Sequence, residues 1–258
     1  MKLVHPSANR LRQAFSLVEV LVAVGIMAIL MAILLPTVTR VRKQAQTIKC
    51  EGHMRQILIM TNLYCNDWEG VLPYTNWGDG PAFTPNRHVG YPGWAYDGNV
   101  PGARGTYDES DIQTGVLYKY AGSSSEMFRC PLDIGPYAAQ WYTMLTTYCA
   151  NGSMSGFGGT PRNISEFKAG QAAIYWEVGA TAGGGEGWDG ANYPWEGISV
   201  RHAGSTTTVG FLDGHVTLYD VNMFNSELNH GPSTLYCDPR SLSGGFVSVA
   251  TVVAIRDN

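Results

Sequence analysis

A single carboxylate, Glu19, is the fifth residue of an apolar run that extends from Phe15 to Leu35. It is the only charged side chain among those 21 residues. A carboxylate in hydrocarbon costs on the order of 3 kcal/mol, so one placed there calls for a compensating partner. Cleavage of the chain between Ala14 and Phe15 would create such a partner, a new ammonium group four residues before Glu19. In an assembly of such helices, that ammonium would neutralise the carboxylate of a neighbouring subunit.

Other residue types on the chain invite other chemistry. His202, Asp213 and His215 offer two imidazoles and a carboxylate, a partial Zn²⁺ shell. No fourth ligand stands at a recognisable spacing, and the simpler reading has no metal: Asp213 makes a turn and His202 hydrogen-bonds a loop backbone. Asp79, Asp97, Asp108 and Asp111 lie in Gly-rich loops and could hold Ca²⁺, although no EF-hand spacing occurs. Trp77, Trp94, Trp188 and Trp195 could stack on sugar rings, but in a Gly-rich domain they more often plug the core under long loops. No nucleophile elbow, phosphate loop, zinc-protease helix or paired Cys-x-x-Cys appears, so catalytic residues are expected to be none.

The elements that must carry these residues follow from the hydrophobic pattern. At the helical rise, Phe15–Leu35 is roughly 31 Å long, enough to cross a bilayer core. A secretory signal has a shorter apolar region and a small-x-small site, whereas this run ends in Leu34-Leu35-Pro36. Beyond Pro36, Val38, Val41, Ala45 and Ile48 recur at helical spacing. Cys50, Met54, Ile57, Leu58, Thr61 and Cys65 continue a semi-apolar face. The pattern predicts one long helix from Phe15 to Asp67, kinked near Pro36, with an amphipathic second half that packs on a head. Thr206–Leu212 and His215–Tyr219 read as two strands joined by Asp213-Gly214, a dipeptide suited to the φ > 0 positions of a tight hairpin.

Composition bounds the rest. The 258-residue chain carries a net charge of −4, and without Lys2, Arg10 and Arg12 it stands at −7. An acidic chain with no basic cluster beyond the helix argues against nucleic acid as a partner. Basic residues flank the span almost equally, with Arg40, Arg42 and Lys43 on the far side, so charge alone leaves its orientation open. The 31 glycines and 14 tyrosines point to a loop-rich, aromatic-studded head rather than a disordered tail.

Gln13-Ala14-Phe15-Ser16-Leu17-Val18-Glu19 closely resembles the processing site of type IV prepilins and type II secretion pseudopilins. Ala14 stands where that family usually has glycine, and Pro36 matches a proline common in it. Cys50-Glu51-Gly52-His53-Met54-Arg55-Gln56-Ile57, Cys130-Pro131-Leu132-Asp133 and Tyr148-Cys149-Ala150-Asn151 are similar to elements of a large bacterial subfamily. His202 and Asp213-Gly214 look like its terminal His…Asp-Gly signature, with one residue more than the usual spacing. The matches reach from residue 13 to about 219 and leave the last 39 residues uncovered.

The resemblance implies an α+β, pilin-like fold: a long N-terminal helix packed on an antiparallel sheet. It implies a leader over 1–14, a transmembrane and assembly helix over 15–36, an amphipathic helix over 37–67 and an extracytoplasmic head over 68–258. Ala14, Phe15 and Glu19 would be the processing residues, and Phe15, Glu19 and Pro36 the assembly residues. The implied partners are a prepilin peptidase that cuts and N-methylates, sibling subunits, an assembly platform driven by a cytoplasmic ATPase, and the inner membrane. The implied product is a pilus-like or pseudopilus fibre, with the leader cytoplasmic and the head periplasmic or at the cell surface. An anchored binder of glycan or another envelope ligand is the alternative. Cys50 and Cys65, about 22 Å apart on one rigid helix, cannot pair with each other. The subfamily's cysteine positions instead imply a Cys50–Cys130 disulfide, with Cys130–Cys149 as the second choice; buried free thiols throughout are the third reading.

Overall fold

The computed structural model describes residues 16–76, 93–96, 109–133, 138–139, 142–143, 145–154, 160–178, 190–202, 204–228 and 230–245. The chain divides into two compact units, Met1–Gln44 and Ala45–Asn258. One helix, α1, runs from Leu17 to Asp67.

In the first unit, α1 begins with a capping box. The Ser16 hydroxyl accepts from the Val18 amide at 3.3 Å, and Glu19 reaches back to accept from the Ser16 amide at 2.8 Å. The helix then continues without an internal acid or base as far as Arg40. Its apolar side chains are exposed throughout, from Leu17 to Val41. Pro36 sits inside the helix, where it removes one backbone donor. Next to it, the Thr37 hydroxyl donates to the Leu34 carbonyl at 2.7 Å and that of Thr39 to the Pro36 carbonyl at 2.9 Å.

In the second unit, the head, the C-terminal part of α1 buries a stripe at helical spacing: Cys50, His53, Met54, Ile57, Leu58, Thr61, Tyr64 and Cys65. A five-stranded sheet receives that stripe. Two-residue strands β1 (Ala138–Ala139) and β2 (Tyr142–Thr143) pair antiparallel as a separate two-stranded sheet. The sheet proper contains β3 (Tyr148–Asn151), β4 (Ala173–Glu177), β5 (Ala191–Asn192), β6 (Thr206–Phe211) and β7 (Val216–Asp220), in the order β5-β3-β4-β6-β7. Three neighbouring pairs are antiparallel, but β5 lies parallel to β3, so the sheet is mixed rather than antiparallel throughout. Parallel neighbours need a long crossover, and here β4 intervenes in sequence between the two.

Strand alternation sends residues to two cores. Tyr148 and Tyr175 face α1, where the Thr61 and Tyr175 hydroxyls lie 3.0 Å apart. Cys149, Trp176, Val209 and Phe211 face the other way, against Phe224 of α2 (Val221–Glu227) and against Leu235. Gly210 permits the close approach of α1: a Cβ there would stand 3.0 Å from Met54 Cγ and 3.1 Å from Leu58 Cδ1. Trp94 is fully buried among Phe128 and Tyr175, which makes it a core residue.

The segment after α2 belongs to the head as well. The Asn151 side-chain amide donates to the carbonyls of Ala173 and Leu235, both at 2.7 Å, and the Ser153 hydroxyl also donates to Leu235. Leu235 and Tyr236 are fully buried. These residues lie in the stretch that the sequence resemblance leaves uncovered.

Candidate functional site

Each unit holds one candidate site. Ala14 and Phe15 lie outside the described residues, so the first site begins at Ser16. Glu19 occupies the first helical turn, with its carboxylate turned back on the Ser16 amide. That places the lone acid of the apolar run at the N-terminal end of α1, where the helix dipole favours negative charge. A bond cut just before Phe15 would create an ammonium one residue before Ser16 in the chain. Among the described residues, α1 is the one helix long and apolar enough to cross a membrane, and the qualifying stretch is unburied.

The second site lies deep in the head. The thiols of Cys50 and Cys130, the carboxylate of Glu177 and the imidazole of His202 come together, each side chain at most 1 % exposed. Their donor atoms all lie within 4.8 Å of one another. Four separate elements deliver them. Cys50 opens the buried stripe of α1; Cys130 follows the 3₁₀ turn Glu126–Phe128; Glu177 ends β4 on the face it shares with Tyr175; and His202 immediately precedes the β6 hairpin. His202 Nε2 is 3.8 Å from Cys130 Sγ, 3.0 Å from Glu177 Oε1 and 2.8 Å from Glu177 Oε2. A single N–H can serve only one of those oxygens, and Oε2 has no hydrogen bond. Cys50 Sγ also contacts Glu177 Oε1.

A polar collar surrounds the four. His202 Nδ1 lies 3.0 Å from the Thr47 hydroxyl. The Tyr148 hydroxyl is 3.0 Å from Cys50 Sγ, and that of Thr208 is 3.7 Å away. The Leu132 amide hydrogen-bonds the Cys130 sulfur. Burial, with Cys130 and Glu177 alongside, pushes the Cys50 thiol up. The hydrogen bond from Cys50 brings Cys130 below its ordinary value despite burial. Burial would lower His202, yet the sulfur and carboxylate beside it raise the imidazole to about 9.

This geometry corrects the grouping of His202 with Asp213 and His215. His202 stands before β6 and Asp213 after it, and a six-residue strand separates its ends by roughly 17–20 Å. Nor does His202 merely bond a loop backbone: its ring is held by Thr47 and Glu177. Asp213 and Gly214 do form the β6–β7 turn, but not with both residues at φ > 0. The Gly214 amide donates to the Phe211 carbonyl at 2.9 Å, and Gly214 alone of the pair has positive φ, +92°. Asp213 instead accepts from the His215 amide at 3.0 Å, with the His215 ring against the same oxygen. The loop is a turn closed by a left-handed glycine, not a two-residue hairpin.

Cys50 and Cys130 are brought together, yet all five cysteines are free thiols. Cys149 faces the opposite side of β3 from Tyr148, which removes it from Cys130. Asp79, Asp97, Asp108, Trp77 and Trp188 lie outside the described residues. Asp111 sits in the 3₁₀ helix Glu109–Thr114, and Trp195 is partly buried on a small tyrosine cluster. Glu177 was the residue that sequence reasoning missed. An acid ending the apolar run Ala173-Ile174-Tyr175-Trp176 should itself have signalled a buried charge needing partners.

Comparison with known families gives a match at the first site. Residues 9–35 carry the prokaryotic N-terminal methylation motif. This is the type IV prepilin and pseudopilin signature, and the match stops short of the head, His202 and Asp213-Gly214 included. Searches of curated proteins and of solved structures find no match to the chain. The pilin-like motif therefore rests on the N-terminal segment, and the α+β architecture of a long helix with a sheet agrees with it.

Proposed function

We propose that this chain is the precursor of a structural fibre subunit. A prepilin peptidase cuts it between Ala14 and Phe15 and methylates the new amine; the mature chain then joins sibling subunits through its apolar helix on a secretion or pilus assembly platform. The observation that carries this reading is the methylation motif running directly into an exposed apolar helix with one acid in its first turn. The head faces the periplasm or the cell surface, and the protein's role is structural rather than catalytic. The anchored-binder reading drew on the tryptophans, and Trp94 presents no ring to a ligand because it is fully buried.

Intact-mass analysis of native material tests the processing step. The mature chain should begin at Phe15 and carry one extra methyl group; material still bearing Met1–Ala14 would refute it. Glu19→Val tests the assembly step. Membrane insertion should be kept or improved, since a costly charge disappears, while incorporation into fibres should fall. Wild-type fibre yield from the Val variant would rule out the pairing of Glu19 with the Phe15 amine.

A further inference from the structure

We propose that Cys50, Cys130, Glu177 and His202 form a structural Zn²⁺ site that locks the C-terminal part of α1 onto the sheet of the head. Two thiolates, one imidazole nitrogen and one carboxylate oxygen are a donor set suited to this borderline-soft ion. Bond lengths near 2.0–2.3 Å give a tetrahedral shell with edges of roughly 3.3–3.8 Å. The Cys130 Sγ to His202 Nε2 edge is already 3.8 Å, and all four donors lie within 4.8 Å of one another. The contacts of Nε2 with the carboxylate, 2.8 and 3.0 Å, need to open by only a few tenths of an ångström.

Three further observations point to a cation. The Glu177 carboxylate is fully buried, and its Oε2 makes no hydrogen bond and has only the His202 ring beside it, 2.8 Å away, so a cation between the two would complete its pairing. His202 has the outer-shell arrangement typical of a ligand: Nδ1 meets the Thr47 hydroxyl, which holds the ring with Nε2 turned into the cluster. The Tyr148 hydroxyl stands 3.0 Å from the Cys50 sulfur and the Leu132 amide hydrogen-bonds that of Cys130, so each sulfur has a polar hydrogen within reach as a thiolate needs. Cys130 also lines an open cleft of about 610 Å³ with His53 and Asp133. Four protein ligands close the shell and leave no position for substrate, so the ion's role is structural. This inference stands apart from fibre assembly, since none of its residues lies in the matched motif.

The test uses the full-length chain purified in detergent, with reductant and without chelator. Elemental analysis should find about one Zn²⁺ per chain. Replacement by Co²⁺ should produce thiolate-to-metal charge-transfer absorption, which reports sulfur ligation in the wild type itself. EDTA should lower the melting temperature of the wild type. Cys130→Ser and His202→Gln should lose the metal, whereas Cys65→Ala, at a buried thiol outside the cluster, should keep it. A reduced wild type with neither stoichiometric metal nor the Co²⁺ band overturns the site. So does a Cys50–Cys130 disulfide found by non-reducing peptide mapping of native protein, or metal retained by both ligand variants. If a variant fails to fold, the wild-type metal content and Co²⁺ spectrum decide the matter alone.

Discussion

Asp213 and Gly214 divide the β6–β7 turn between a hydrogen bond and a backbone conformation, and each half can be tested separately. A Cβ on Gly214 would meet nothing within 4 Å, so substitution there probes φ alone. Gly214→Ala should cost about 1 kcal/mol, the usual penalty for forcing an L-residue left-handed. Asp213→Asn should be nearly silent in the same thermal melts, because it keeps an oxygen for the His215 amide. An unchanged melting temperature for Gly214→Ala would show that the turn relaxes. The Asp-Gly dipeptide made the turn legible in the sequence, but not its type, since both the two-residue and the glycine-closed loops accept that pair. Glu19 was legible because a charge breaks an apolar run. The capping box with Ser16 is equally legible from Ser-x-x-Glu.

Helical periodicity gave α1 its buried face in advance, since Cys50, Met54, Ile57, Leu58, Thr61 and Cys65 all point into the head. A protein shortened to begin at Thr37 should therefore be soluble and melt cooperatively. One beginning at Gly70 would bare the surface around Gly210 that Met54 and Leu58 cover, and it should aggregate. Equal solubility and melting of the two would deny that packing. The sheet was less legible: β5 is two residues long and carries no alternation from which to read a parallel pairing. A second element-scale test concerns the 3₁₀ turn Ile164–Glu166 and the segment near Arg240. Two guanidinium nitrogens of Arg240 reach Glu166 at 2.6 and 2.7 Å and, with the Asn163 amide, hold its carboxyl at about 2, below the ordinary 4.5. A depressed carboxyl stabilises the fold above its unfolded value, and that contribution is lost as pH falls through the folded one. Melting temperatures of wild type and Arg240→Ala should thus differ above pH about 4.5 and converge towards pH about 2. A gap that stays constant over that interval would assign the difference to something other than this pair.

Across the whole molecule, legibility follows how local each determinant is. The methylation motif is contiguous, residues 9–35, and could be read directly. The buried cluster draws on positions 50, 130, 177 and 202, and nothing in one dimension announces that four elements converge. The family resemblance implied Cys50 with Cys130 and left His202 elsewhere, because it carries no sign of an acid hidden in a strand. The final stretch was unreadable for a similar reason. Leu235 and Tyr236 are anchored by hydrogen bonds from Asn151 and Ser153, not by a periodic pattern.

That anchoring has a consequence in time. Asn151 is made 84 residues before the carbonyl it must bond at Leu235, and the Ala173 amide likewise waits for Thr234. While the chain is still being synthesised, Trp176 and Phe211 are already present, but the Leu235 side chain that completes their cluster is not. The Trp176 side of the sheet therefore lacks its last buried residue until the chain has passed Leu235. Chains stopped after Ser233 should remain protease-sensitive across β3–β7, whereas chains extending through Gly245 should become resistant. Resistance in the shorter product would mean that the sheet closes without its late-arriving strap.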